Sequence, residues 1–133
     1  MIQSSHKRIG GFSLIELMIV VSIAAILVTL AVPSFQKSSL KAREAALQQN
    51  LFTLRSILDQ FYADRGNYPL TLEELVTEQY IRKIPIDPFT KSSSTWEEVL
   101  EEKDSEDDTP AGVYDIHSGS DLTAIDGRSY KDW

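Results

Sequence analysis

The sequence predicts an α+β protein: one long N-terminal helix, membrane-like in its first half and amphipathic in its second, packed on a small C-terminal antiparallel sheet. Three observations predict it. Residues 12–32 are apolar except for Ser13, Glu16, Ser22 and Thr29. Leu40, Leu47, Leu51, Leu54, Leu58 and Phe61 then recur mostly three or four residues apart, a one-sided helical stripe. Beyond Asp64 the chain turns to glycine, proline and asparagine, with short runs of β-type residues between the breakers. Four segments follow from these shifts: a leading stretch 1–11, an apolar helix 12–33, an amphipathic helix 34–64 and a C-terminal globular region 65–133.

The apolar segment comes first. As a helix rising about 1.5 Å per residue, residues 12–32 extend roughly 32 Å, close to the hydrocarbon thickness of a bilayer. Glu16 is the one ionisable residue within it. A charge at that depth costs on the order of 2.5–3.5 kcal/mol on insertion scales, so its first reading is functional and it calls for a counter-charge. Two plainer readings compete. A secretory signal peptide would use Lys7 and Arg8 as its charged head. Its apolar core, however, runs only about 7–15 residues and ends at a small-residue cleavage site. Pro33-Ser34-Phe35 is no such site. A plain membrane anchor would carry Glu16 by accident and leaves the neighbouring Gly10-Gly11-Phe12 junction without a purpose. Lys7 and Arg8 favour a cytoplasmic N-terminus, but Lys37, Lys41 and Arg43 lie beyond the span, so charge asymmetry alone leaves the orientation open.

The amphipathic helix follows, with Pro33 expected to kink or break the chain at its start. Its polar face carries Lys41, Arg43, Glu44, Gln48, Gln49, Arg55 and Asp59. The apolar stripe is read as core for the small domain rather than as a coiled-coil seam. Asp64-Arg65-Gly66-Asn67-Tyr68-Pro69 ends the helix. Thr71-Leu72-Glu73-Glu74-Leu75 reads as a short helix with Thr71 as cap and Glu74 as its return partner. Pro85 and Pro88 hold residues 80–89 in an extended, turn-rich course. Candidate strands lie near 95–100 and 113–117, forming a hairpin over one side of the helix, with a third short strand near 129–133. Between the first two runs an acidic stretch, Glu101 to Asp108 with a single Lys103, which reads as a self-repelling solvated loop.

Composition excludes several functions. Net charge is −7, a sign that disfavours nucleic-acid binding. Cysteine is absent, so neither a disulfide nor a thiolate zinc site can form. Of the two histidines, His6 precedes the apolar segment and His117 ends a strand. Neither belongs to a nucleophile–base–orienter set, and no glycine-rich phosphate loop precedes a helix.

Gly11-Phe12-Ser13-Leu14-Ile15-Glu16 resembles the class III signal of the type IV pilin and type II secretion pseudopilin family. Pro33 matches a proline that the family places just past its apolar segment. The resemblance implies a pilin-like fold, cleavage between Gly11 and Phe12 by a prepilin peptidase and methyltransferase, methylation of the new N-terminus at Phe12, and an assembly role for Glu16. The amine exposed on Phe12 would neutralise Glu16 of a neighbouring subunit; a buried charge tolerated only when paired favours one stagger between copies. Missing cysteines tilt the likeness from pilins, which often close a C-terminal loop with a disulfide, towards the major pseudopilin branch. Tyr68-Pro69 and Pro85-Ile86-Asp87-Pro88-Phe89 resemble elements of that branch, read here as a loop braced on the long helix.

The tail, Ser118-Gly119-Ser120-Asp121 through Asp126 to Asp132-Trp133, resembles the aspartate-rich end of the same branch, where a calcium ion pins a loop. Calcium takes six to eight hard oxygen ligands at about 2.3–2.6 Å, and Asp121 and Asp126 are the expected side-chain ligands. The branch's adjacent acidic doublet is not present here, and an Asx-turn loop that caps its own backbone is the competing account. The resemblance further implies a non-enzymatic filament subunit. It would be stored in lipid as a single-pass inner-membrane protein with its C-terminal region in the periplasm. From there it would be drawn into a pseudopilus that moves folded proteins across the outer membrane. Partners would be copies of itself, minor pseudopilins and an inner-membrane assembly platform. The alternatives are a type IV pilin of a surface filament, a minor pseudopilin at the tip, and a membrane-anchored calcium module that does not polymerise.

Overall fold

The computed structural model describes residues 10–133; the expectations placed on His6, Lys7 and Arg8 lie outside the described residues. The elements run in the order α1 (Leu14–Arg65), α2 (Leu72–Thr77), β1 (Glu97–Leu100), β2 (Val113–His117) and a 3-10 turn at Tyr130–Asp132. This is the α+β class expected. Contacts divide the chain into two compact units, Met1–Ser38 and Ser39–Trp133.

The first unit holds the apolar half of α1. Every described residue in it is exposed, from Gly10 to Ser38. Its few polar side chains are satisfied locally: Ser22 Oγ donates to the Met18 carbonyl at 2.7 Å, Thr29 Oγ1 to Ala25 at 2.8 Å and Ser38 Oγ to Ser34 at 3.0 Å. Such back-bonding lets hydroxyls sit in an apolar helix without demanding outside partners. Pro33 lies inside α1 and does not end it, so the expected local break is absent. Lacking an N–H, Pro33 withdraws one donor from the Thr29 carbonyl, a single missing rung in a 52-residue helix.

The second unit is built on the amphipathic half of α1. Leu47, Leu51, Leu54, Leu58 and Phe61 are buried, the stripe predicted from spacing, whereas Leu40 is only half-buried. They pack with Leu72 and Leu75 of α2, Val113 and Ile116 of β2, and Trp96, Ala124 and Tyr130. The stripe is therefore core. Gly66 closes α1 in the left-handed region, at φ 76°, its N–H bonded to the Tyr62 carbonyl at 2.7 Å; that conformation favours glycine.

The α2 start differs from expectation. The Thr71 hydroxyl makes no capping bond. Instead Glu98 of β1 accepts the Leu72 N–H at 3.0 Å, and Glu74 reaches back to the Leu70 N–H at 2.6 Å. A residue distant in sequence has taken the cap.

Strands β1 and β2 pair antiparallel, Glu97 with His117, Glu98 with Ile116, Val99 with Asp115 and Leu100 with Val113. Tyr114 is left unpaired as a bulge. Without it, alternation would put Val113 and Ile116 on opposite faces; with it, both are buried against α1 while Tyr114 is exposed. The expected third strand at 129–133 is not formed. Thr123 and Ser129 make one isolated bridge, and the chain then coils into the 3-10 turn, with Ser129 Oγ accepting the Lys131 N–H.

Candidate assembly segment and C-terminal closure

Residues 10–13 are non-helical and exposed, so the Gly11–Phe12 peptide bond lies two residues ahead of α1. Nothing approaches within 4 Å of a side chain built at Gly10 or Gly11. The junction is thus non-helical and unobstructed on the side where those side chains would lie. Ser13 is the cap of α1: its Oγ accepts the Glu16 N–H at 3.1 Å. Ser13-Leu14-Ile15-Glu16 therefore has capping-box spacing, with Glu16 at the third helical position, where a carboxylate also favours the positive end of the helix dipole. The S-x-x-E signal was present in the sequence and gives Glu16 a local role beside the proposed assembly role. Phe12 and Leu17, at the positions of a hydrophobic staple, line one apolar recess.

The C-terminal tail closes on two sites. At the first, Asp87 is fully buried. Its Oδ1 accepts the N–H groups of Phe89 at 2.8 Å and Thr90 at 3.4 Å, and its Oδ2 accepts the Ser118 hydroxyl at 2.5 Å. The Ser118 oxygen in turn accepts the Ser120 N–H. The proline loop and the Ser118-Gly119-Ser120-Asp121 loop, separate in sequence, meet at this carboxylate. Gly119 permits the approach: a Cβ there would sit 1.9 Å from the Thr95 carbonyl oxygen. The loop is braced on α1 as expected, Asn50 Nδ2 donating to the Ile86 carbonyl at 3.0 Å.

At the second site, α1 reads the tail through two residues that the sequence had placed on its solvated face. Glu44 accepts the Ile125 N–H at 2.8 Å and the Tyr130 hydroxyl at 2.9 Å. Burial, with this hydrogen bond adding to it, pushes the Tyr130 phenol up to about 12. Arg55 donates to Asp115 at 2.7 Å, to the Ile116 carbonyl at 3.0 Å and to the Trp133 main-chain oxygen at 2.7 Å. His117 is half-buried, its Nδ1 2.8 Å from the same Trp133 oxygen. Tyr130 stacks on Phe89 at 4.0 Å and meets Trp133 edge-on at 5.1 Å.

The expected calcium ligands each face a basic side chain. Asp121 Oδ1 lies 2.7 Å from Lys131 Nζ, and that hydrogen bond holds its carboxyl below the usual range. Asp126 accepts the Arg128 N–H at 3.0 Å and its guanidinium at 2.8 Å, which lowers it likewise. Among the described residues no group of three acidic or imidazole side chains converges. Calcium requires several carboxylate and carbonyl oxygens in one shell, and this donor set, each acid already facing its own cation, does not fit one.

Comparison with known proteins bears on the N-terminal segment and on about two thirds of the chain. Residues 6–32 match the model of the prokaryotic N-terminal methylation motif. The chain is 31% identical over 99 residues to the type II secretion system core protein G of Klebsiella pneumoniae, covering 62% of this chain and 71% of that protein. It is 33% identical to the protein of that name from Pectobacterium carotovorum subsp. carotovorum, over 103 residues and 65% of each chain, just under two thirds of that relative's length. A type IV major pilin protein, PilA of Myxococcus xanthus, is 38% identical over 63 residues, covering 47% of this chain and 29% of the pilin. No solved structure matches. With a capped, exposed apolar helix behind an open Gly11–Phe12 junction, and a matching likeness that reaches well past it, the chain belongs to the type II secretion system core protein G family.

Proposed function

We propose that this protein is the major structural subunit of a type II secretion pseudopilus, processed after Gly11, methylated at Phe12 and polymerised through α1. The observation that carries the reading is the first turn of α1: an exposed carboxylate at Glu16, four residues past an open glycine–phenylalanine bond, at the head of a wholly exposed apolar helix. A helix apolar on every side needs lipid or like helices around it. The span is long and apolar enough to cross a membrane. Before assembly it would hold the subunit in the inner membrane with residues 39–133 in the periplasm. Drawn from lipid into a polymer, the same surface would pack against its own copies, and the Phe12 amine of one subunit would neutralise Glu16 of the next. Minor pseudopilins and an inner-membrane assembly platform complete the expected partners. The pilin relative keeps a surface filament as the second reading.

Mass spectrometry of the mature chain should find an N-terminus at Phe12 bearing one methyl group. The capping-box spacing sharpens the test of Glu16, because glutamine suits the third helical position of such a turn as well as glutamate does. Glu16→Gln should therefore be processed and helical yet enter filaments poorly. Filament yield equal to wild type in that variant would sink the pairing, and an N-terminus upstream of Gly11 would sink the processing.

A further inference from the structure

We propose that Lys131 is the internal cation that closes the C-terminal loop of this protein, doing with an ammonium group what a bound divalent ion would otherwise do. Three segments converge on it. Lys131 sits in the 3-10 turn; its Nζ lies 2.7 Å from Asp121 of the tail loop and 3.3 Å from Glu97 of β1. An ammonium has three donors and no acceptor, so it can gather two carboxylates from different segments as a small cation does. Its stem is held in place because its neighbours are. Tyr130 is fully buried between Phe89 and Trp133, and Ser129 Oγ accepts the Lys131 N–H.

The rest of the tail follows the same pattern. Asp126 is occupied by Arg128, and Asp115 by Arg55. Asp115, Asp121 and Asp126 thus each face a lysine or arginine of the chain itself, and the two carboxylates that do converge, Asp121 and Glu97, converge on the Lys131 ammonium. The loop is closed by covalently attached cations, so its closure does not depend on metal concentration or on chelators. Because the pairs are partly exposed, the closure is weakened by salt instead.

The test is thermal unfolding of the full chain in detergent micelles, followed by tryptophan fluorescence. Wild type should melt at one temperature, within about 1 °C, in millimolar calcium chloride and in EDTA. Lys131→Met keeps the apolar stem and removes the charge; it should lower the melting temperature by about 2–6 °C, the range expected of exposed pairs in a domain of this size. Asp121→Asn in the Lys131→Met background should cost little more, since the pair is already broken. Calcium raising the wild-type melting temperature, with Asp121→Ala abolishing the rise, would overturn the proposal in favour of a metal site. So would a Lys131→Met variant that melts with wild type, or additive losses in the double variant.

Discussion

Asp87 ties two loops of the C-terminal region together, since one buried carboxylate accepts three hydrogen bonds from them. Removing an acceptor leaves each buried donor unpaired at about 1–3 kcal/mol, although relaxation recovers part of the sum. Asp87→Ala should therefore destabilise the fold by about 3 kcal/mol, and Asp87→Asn, which keeps one acceptor oxygen, by roughly half as much. Denaturant midpoints of the full-length variants in micelles check both values; a shift in Asp87→Ala within error of wild type would refute the assignment. Sequence alone made each loop legible, one by its two prolines and the other by its Ser-Gly-Ser-Asp run. It could not show that they meet, because Asp87 and Ser118 are brought together only by packing on α1. Glu44 and Arg55 were misplaced for the same reason. Charged residues on a helix belong to the solvated face until a tail with matching donors and acceptors lies over them.

At the level of elements, periodicity recovered what periodicity encodes. The stripe from Leu47 to Phe61 and the strand at 113–117 stand where the pattern placed them. The bulge was not legible, since Val113-Tyr114-Asp115-Ile116-His117 read as a regular strand points Val113 and Ile116 to opposite sides. Deleting Tyr114 should restore that regular alternation and turn one of the two out of the core. Exposing a buried valine or isoleucine costs about 1.5–3 kcal/mol, so the deletion should destabilise by at least that much, whereas Tyr114→Ser, which keeps the count of residues, should cost far less. Circular dichroism melts of the two variants decide the matter; equal melting temperatures would show that the bulge has no phasing role. The missing third strand has a related cause. Tyr130 must enter the core between Phe89 and Trp133, and a 3-10 turn capped by Ser129 delivers it there. Local patterning at 129–133 carries no trace of that demand.

For the molecule as a whole, the raised Tyr130 phenol sets an alkaline limit. Its ordinary value is 10.0 and its folded value about 12, so the neutral form is favoured by folding. The contribution is fully present below pH 10 and lost as pH climbs from about 10 to 12, when the ionised phenol would face Glu44 of α1 and Asp126 of the tail. Tyr130→Phe should lower stability at neutral pH, through the lost bond to Glu44, and flatten the decline above pH 10. Tyr68, also raised by burial, leaves a residual slope. An unchanged alkaline profile in Tyr130→Phe would show that the limit lies elsewhere.

The hydroxyls of Ser22 and Thr29, each turned back on its own helix, leave the wall of the apolar shaft between Leu17 and Val32 without a free hydroxyl hook. Sliding one such rod along another by a turn of about 5.4 Å exchanges hydrocarbon for hydrocarbon and meets little resistance from polarity. In the filament proposed above, alignment between rods would then fall to the tip, where Glu16 would be the single tooth on an otherwise greased surface.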